Sequence, residues 1–175
     1  MSNAGIEAYA RALFEIAQAE GNIDTVENEL FRMARAFESN EHLRTTLSDA
    51  TIPADRRQNV VEQLLGGKAS NTTTQLVSLV VGSGRSRDLP AIIDALVKRA
   101  SSDKKLEVAE VRSAVELTED QQKRLAAALA KATGKQVNLK VVVDPTVMGG
   151  LVATVGDEVI DDTVRTRLEQ LKSRI

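Results

Sequence analysis

The feature that most constrains this chain is a change of hydrophobic period near Ser101. Before it, apolar residues recur at three and four; after it, several segments alternate. Ile6, Tyr9, Ala10, Leu13, Phe14 and Ala17 form one helical stripe, closed by Gly21. Asp24 is placed to cap a second helix with Glu27 as its box partner, and Val26, Leu30, Met33 and Phe37 give its buried face. A short helix is expected around His42 to Leu47. Pro53 then opens a fourth that carries Val60, Val61, Leu64 and Leu65 to Gly66-Gly67. Asn71 is expected to cap a fifth, with Leu76, Val77, Leu79, Val80 and Val81 before Gly82-Ser83-Gly84. Asp88 and Pro90 open a sixth, bearing Ile92, Ile93, Leu96 and Val97. Helices joined by short Gly- or Pro-marked turns make a bundle.

Beyond the switch the period is two. Ala109, Val111, Ser113, Val115 and Leu117 are expected on one side of a strand, with Glu110, Arg112 and Glu116 on the other. Thr118-Glu119-Asp120-Gln121 reads as a capping box, and the helix it starts ends at Gly134. Val137, Leu139, Val141 and Val143 alternate as a half-buried strand, ended by Asp144-Pro145 because proline lacks the N–H a ladder needs. Gly149-Gly150 opens the run Leu151 to Val155, Gly156-Asp157 is a turn, and Val159-Ile160 a short return strand. Asp161-Asp162-Thr163 is a helix start, with Val164, Leu168, Leu171 and Ile175 following at helical spacing. The expected fold class is α+β in two parts. An N-terminal six-helix bundle, residues 1–104, is followed by a small α/β domain, residues 105–175.

Composition narrows the function. A hydrophobic fraction of 42% argues against disorder, and a net charge of −2 gives no strong pull toward nucleic acid. Aromatics are only 2%, too few for base-stacking platforms. The chain has no cysteine, and no apolar run nears the roughly 20 residues of a membrane helix. With no signal-peptide pattern at its start, a soluble chain in a reducing compartment is expected.

Catalytic constellations fail on their residues. The lone histidine, His42, rules out His clusters and Ser-His-Asp arrangements within one chain. Asp157-Glu158 and Asp161-Asp162 stand at turn or cap positions, where Asp is favoured for structural reasons. Gly66-Gly67-Lys68-Ala69-Ser70 resembles the tail of a phosphate-binding loop, but Glu62 and Ala69 stand where that motif needs Gly and Ser or Thr. A phosphate- or nucleotide-binding accessory protein using Gly66 to Ser70 is the competing reading; a helix end running into a loop is the plain one. Gly82-Ser83-Gly84-Arg85 reads either as an anion nest or as a Gly-rich helix stop. No cofactor is expected.

The first half carries surplus apolar surface. Ala8, Ala12, Ile16 and Ala19 make a second stripe on the opening helix. The fifth helix reads as apolar nearly all round, with Val77 and Val81 directed away from Leu76, Leu79 and Val80. Such a helix is either central in the core or offers a groove to an amphipathic partner helix.

Glu7-Ala8-Tyr9-Ala10-Arg11-Ala12-Leu13-Phe14, Gly84-Arg85 before Leu89-Pro90, and above all Asp144-Pro145-Thr146-Val147-Met148-Gly149-Gly150-Leu151 through Gly156-Asp157-Glu158-Val159-Ile160-Asp161 resemble the delta subunit of bacterial F-type ATP synthase. The mitochondrial relative of that family is the oligomycin-sensitivity-conferring protein. The likeness runs in order along essentially the whole chain. Asp162-Thr163 stands where the family usually has Gly-Ser, and Ser86 where it has an apolar residue. The resemblance implies a non-catalytic stator subunit. Its helical bundle would grip the N-terminal helix of an alpha subunit through the first and fifth helices, near Tyr9, Ala12, Leu76, Val77 and Val80. Its C-terminal domain, shaped by Asp144, Pro145, Gly149, Gly150, Gly156, Asp157 and Asp161, would meet the b subunits of the peripheral stalk. Neither metal nor nucleic acid is implied. The location implied is the cytoplasmic face of the bacterial plasma membrane, reached only through the complex.

Overall fold

The computed structural model describes residues 3–147 and 149–161. Among them the fold is α+β, with seven α-helices and one four-stranded mixed sheet. The chain falls into two compact units that divide between Ala100 and Ser101.

In the first unit, α1 (Asn3–Ala19), α2 (Ile23–Ser39), α3 (Glu41–Ser48), α4 (Ala54–Leu65) and α5 (Asn71–Gly82) lead through a 3-10 turn at Ser86–Asp88 into α6 (Leu89–Asp103). Its core is aliphatic with three phenylalanines: Leu13, Leu30, Leu47, Val77 and Ile92 are all but inaccessible, as is Phe37. Arg35 of α2 ties this core to α6 through an ion pair with Asp94 at 2.5 Å, while its guanidinium lies 4.8 Å from the Phe31 ring centre.

Two helix starts differ from the sequence reading. Helix α2 begins at Ile23 after Asn22, whose side chain makes no cap bond; Asp24 stands in the first turn, where its charge suits the helix dipole. Helix α5 is capped by Ser70 rather than Asn71, the Ser70 hydroxyl accepting from the Thr73 N–H at 3.2 Å.

The second unit is built on β1 (Glu107–Ser113), α7 (Glu119–Thr133), β2 (Val137–Val143), β3 (Leu151–Val155) and β4 (Glu158–Asp161). The strand order is β2-β1-β3-β4. β1 and β2 are parallel, with Ala109 opposite Leu139, and α7 supplies the crossover that parallel neighbours need. β3 pairs antiparallel with both β1 and β4. Ala109, Val111, Ala153 and Val155 share one face and pack with Leu129 and Leu125 of α7. Strand β1 is shorter than its alternation suggests. Its last partners are Val143 and Leu151, both opposite Ser113, so Val115 has no ladder to join and is 65% exposed.

The closing turns form as their residues require. Asp144 accepts from the Thr146 N–H at 2.9 Å and from its hydroxyl at 2.6 Å, a turn that stops β2. Gly156 has φ +59 at the first of two loop positions between Val155 and Glu158, and Asp157 follows. A Cβ there would also stand 2.8 Å from the Glu107 carboxylate, which would have to swing aside. The expected helix start at Asp162-Thr163, and Val164, Leu168, Leu171 and Ile175 after it, lie outside the described residues.

Candidate functional site

The site expected at α1 and α5 divides into a surface and a support. On α1, Ala10, Leu13 and Ala17 are buried while Ala8, Ala12 and Ala19 are exposed, Ile16 is 41% exposed and Tyr9 is half-buried. Seventeen residues thus carry a core stripe and a second, outward stripe of small and apolar side chains.

On α5 the structure corrects the sequence reading. Leu76, Val77 and Val80, expected near a groove, belong to the unit's own core, as does Val81; the least buried of the four is 3% exposed. The reason is angular. At about 100° per residue, Thr73, Leu76, Val77, Val80 and Val81 fall within one arc of about 140°, so Val77 and Val81 share a face with Leu76 rather than opposing it. Leu79 lies outside that arc and is 50% exposed. Sequence reasoning counted it among the apolar residues of α5 without identifying it as the outward one.

The start of α5 is held by residues far away in the chain. One carboxylate oxygen of Glu29, on α2, accepts from the Ser70 N–H at 2.9 Å, the Ser70 hydroxyl at 2.8 Å and the Thr73 hydroxyl at 2.5 Å. Burial pushes the Glu29 carboxyl up, but the bonds from Thr73 and Ser70, with the charge of Arg32, outweigh it and hold the group below its usual range. Asn22 adds a second tie, its amide donating to the Thr72 hydroxyl at 3.0 Å. At the other end, the Gln58 amide on α4 donates to the Ser78 carbonyl at 3.0 Å, and Gly82 leaves the room that Gln58 fills. No local signal marks Glu29, which stands 41 residues from Ser70.

These contacts also bear on the loop at Gly66 to Ser70. An anion at the first turn of α5 would meet a position the Glu29 carboxylate already occupies. The Gly82 to Arg85 segment is a helix stop: the Ser83 N–H donates to Leu79 O, that of Gly84 to Val81 O and that of Arg85 to Val80 O, with Gly84 at φ +74. Ser86, where the resemblance expects an apolar residue, is 1% exposed and its hydroxyl is buried without a hydrogen-bond partner.

In the second unit, Asp144 sits on the rim of the sheet, 3.6 Å from Arg112. The Thr146 hydroxyl and N–H, with lesser help from Arg112, hold its carboxyl below the usual range. Pro145, Gly149 and Gly150 fill the turn between β2 and β3, and Asp161 closes β4 opposite Val152. These are backbone-shaping roles. An apolar pocket of about 180 Å³ between α2, α3 and α4, lined by Met33, Leu43, Leu47, Val61 and Leu64 among others, went unseen in the sequence. Leu64 is 42% exposed there, although helical spacing grouped it with the buried Val61. Among the described residues no cluster of three His, Cys, Asp or Glu could hold a metal, and no helix is long and apolar enough to cross a membrane.

Residues 6–175 match the model of a protein family described as ATP synthase delta (OSCP) subunit. A protein of Streptomyces griseus named ATP synthase subunit delta is 43% identical over 159 residues, covering 91% of this chain and 59% of its own length. Its namesake in Nocardia farcinica is 41% identical over 164 residues, covering 94% of this chain and 61% of its own length. The chain therefore spans about three-fifths of the length of these curated relatives. The like-named protein of Symbiobacterium thermophilum is 36% identical over 175 residues, 100% of this chain and 94% of its own. A chain in the cryo-EM structure of the Toxoplasma gondii mitochondrial ATP synthase hexamer shares the fold at TM-score 0.56 and 24% identity, with 99% of this chain and 97% of that one covered.

Proposed function

This chain belongs to the ATP synthase delta (OSCP) subunit family, a structural, non-catalytic component of the F-type complex, and from that premise we propose that it is a strap in the stator. Its N-terminal part, residues 1–104, is a six-helix bundle that grips the N-terminal helix of an alpha subunit in the catalytic head. Its C-terminal part, residues 105–175, holds the b subunits of the peripheral stalk. The strap keeps the head from turning with the rotor, so that proton-driven rotation becomes ATP synthesis. It lies at the cytoplasmic face of the bacterial plasma membrane, attached there through the complex.

The observation that carries this reading is an apolar surface the first unit does not use for itself. Ala8, Ala12 and Ile16 face outward along α1, and Leu79 faces outward on α5. Small side chains let a partner helix approach closely, and apolar positions one turn apart are what an amphipathic helix buries in a groove. Tyr9 and Ala12 are contact residues in this reading, whereas Leu76, Val77 and Val80 are the layer beneath. A tether under repeated torque needs slow release, and engaging two partners through two units makes each contact retain the other.

A synthetic peptide of the alpha-subunit N-terminal helix from the same organism is expected to bind the chain. Ala12→Arg is expected to abolish binding with the helical circular dichroism intact; unchanged affinity would sink the groove assignment. The competing phosphate-binding reading requires millimolar ATP to raise the melting temperature. With Glu29 already bonded to Ser70 and Thr73, a flat titration is expected.

A further inference from the structure

Hydrophobic burial is non-directional, and that creates a difficulty for α5. Leu76, Val77, Val80 and Val81 form its buried arc, and Leu79 adjoins the arc on one side. A turn of about 60° about the helix axis would bury Leu79, bring Val81 out and move Val77 to the edge of the arc, a rearrangement that keeps most of the buried aliphatic surface. Apolar packing alone discriminates poorly between such arrangements, and cores that keep volume and pattern lose uniqueness before they lose stability. Buried polar groups do discriminate, because their partners must be met.

We infer that Glu29 is a positioning residue for the helix-binding surface: by holding Ser70 and Thr73, it selects the rotation of α5 that turns Leu79 outward and Val81 inward. Thr73 is the polar member of the buried arc, at 0% exposure, and its hydroxyl reaches Glu29 in this rotation. Three donors from two residues of one helical turn converge on a single oxygen, so the constraint is on angle as well as distance. Asn22 acts with it, since the Thr72 hydroxyl it bonds projects from a different side of the same turn. The pair holds the beginning of α5, and the helix carries that angle two turns on to Leu79. This inference rests on the groove reading for its functional meaning, but its geometry stands apart from any partner.

The chain has no cysteine, so single reporters are clean. Leu79→Cys and Val81→Cys are made separately in the full chain, each with and without Glu29→Ala, which removes the accepting oxygen, and labelled with a maleimide under native conditions. With Glu29 present, position 79 should react fast and position 81 slowly. With Glu29→Ala, position 79 is expected to slow by about fivefold and position 81 to speed up by a similar factor, as two rotations exchange populations. General loosening never protects position 79, so acceleration at position 81 alone would overturn the inference, as would no change at either. Thr73→Val should reproduce the exchange and Thr73→Ser, which keeps the hydroxyl, should not; this pair decides the matter if Glu29→Ala fails to fold. The alpha-subunit peptide is then titrated against the parent chain and against Glu29→Ala. If the parent binds, the variant is expected to bind about tenfold more weakly, and equal affinity would refute the positioning role. If the parent does not bind, the groove reading falls while the labelling result still decides the rotation.

Discussion

Helices α5 and α7 are of similar length and opposite character, and the contrast shows two ways of telling a helix where to lie. α7 is specified by its own neighbours. Thr118 accepts from the Gln121 N–H at 3.3 Å while the Gln121 side chain accepts from the Thr118 N–H at 2.9 Å, and Gly134 at φ +71 ends the helix. Its buried residue is Leu129, with Leu125 beside it, so a narrow stripe fixes which side meets the sheet. α5 has a broad apolar surface, and its first turn is completed by Glu29 and Asn22 from distant parts of the chain. The self-contained helix needs only its sequence to be oriented; the central one needs its unit already assembled.

The sharpest way to break that contrast is to truncate leucines on the two sides of α5. Leu76→Ala removes a side chain that is 3% exposed and should lower the unfolding free energy of the first unit by about 3 kcal/mol. Leu79→Ala, at a site 50% exposed, should cost less than about 0.5 kcal/mol. Urea unfolding followed at the helical signal measures both. Equal costs would mean that α5 samples more than one rotation, and its placement would then be looser than these contacts require.

Caps offer a second comparison with a smaller effect. Thr118→Ala removes one cap acceptor from α7 and should cost about 1 kcal/mol. Ser70→Ala removes a cap and also one donor to the Glu29 carboxylate, so about 2 kcal/mol is expected. The Ser70 N–H survives that substitution, and the lost partner is the hydroxyl, shared between Glu29 and Thr73. Similar losses in α5 and α7 would show the long-range clamp to be energetically idle.

A third test raises stability instead. Ser86 follows α5, is 1% exposed, and its hydroxyl is among the buried atoms that find no partner. Ser86→Ala removes that unmet group and should stabilise the first unit by about 1 kcal/mol, seen as a higher urea midpoint at unchanged slope. A lower midpoint would show that the hydroxyl is satisfied in solution.

The same contrast explains what could be read from the sequence. The six helices before Ser101, the capping box at Thr118, the stop at Asp144-Pro145 and the hairpin at Gly156-Asp157 are all written locally, and the structure forms them. Val115 failed because a strand ends where its neighbours end, and neither β2 nor β3 is visible from β1's own alternation. The resemblance carries Leu76, Val77 and Val80 to a groove, and the pattern of α5 could not decide against it, because a helix apolar on much of its surface does not say which part is inward. Only the angular arc, fixed by packing, settles that. Glu29 was missed for the related reason that its three donors come from residues more than 40 positions away. Local chemistry is legible in one dimension, whereas the facing of a central helix is a property of the assembled unit.

Acid provides the gentlest probe of the difference. The Glu29 carboxyl is held below its ordinary range in the fold, so its bonds contribute stability above the unfolded-state pKa and lose it as pH falls through the folded value. The gap in unfolding free energy between the parent chain and Glu29→Gln should therefore be widest near neutrality and close as pH falls from the ordinary carboxylate range through the lower folded value. The gap between the parent and Thr118→Ala should hardly move over that range, because neither Thr118 nor Gln121 titrates. Urea titrations at matched ionic strength measure both, since salt screens the contribution of Arg32. A Glu29 gap that stays level through the acid range would mean the carboxylate charge does nothing for α5. Ser70 and Thr73 would then be held by hydrogen-bond geometry that a neutral amide supplies as well.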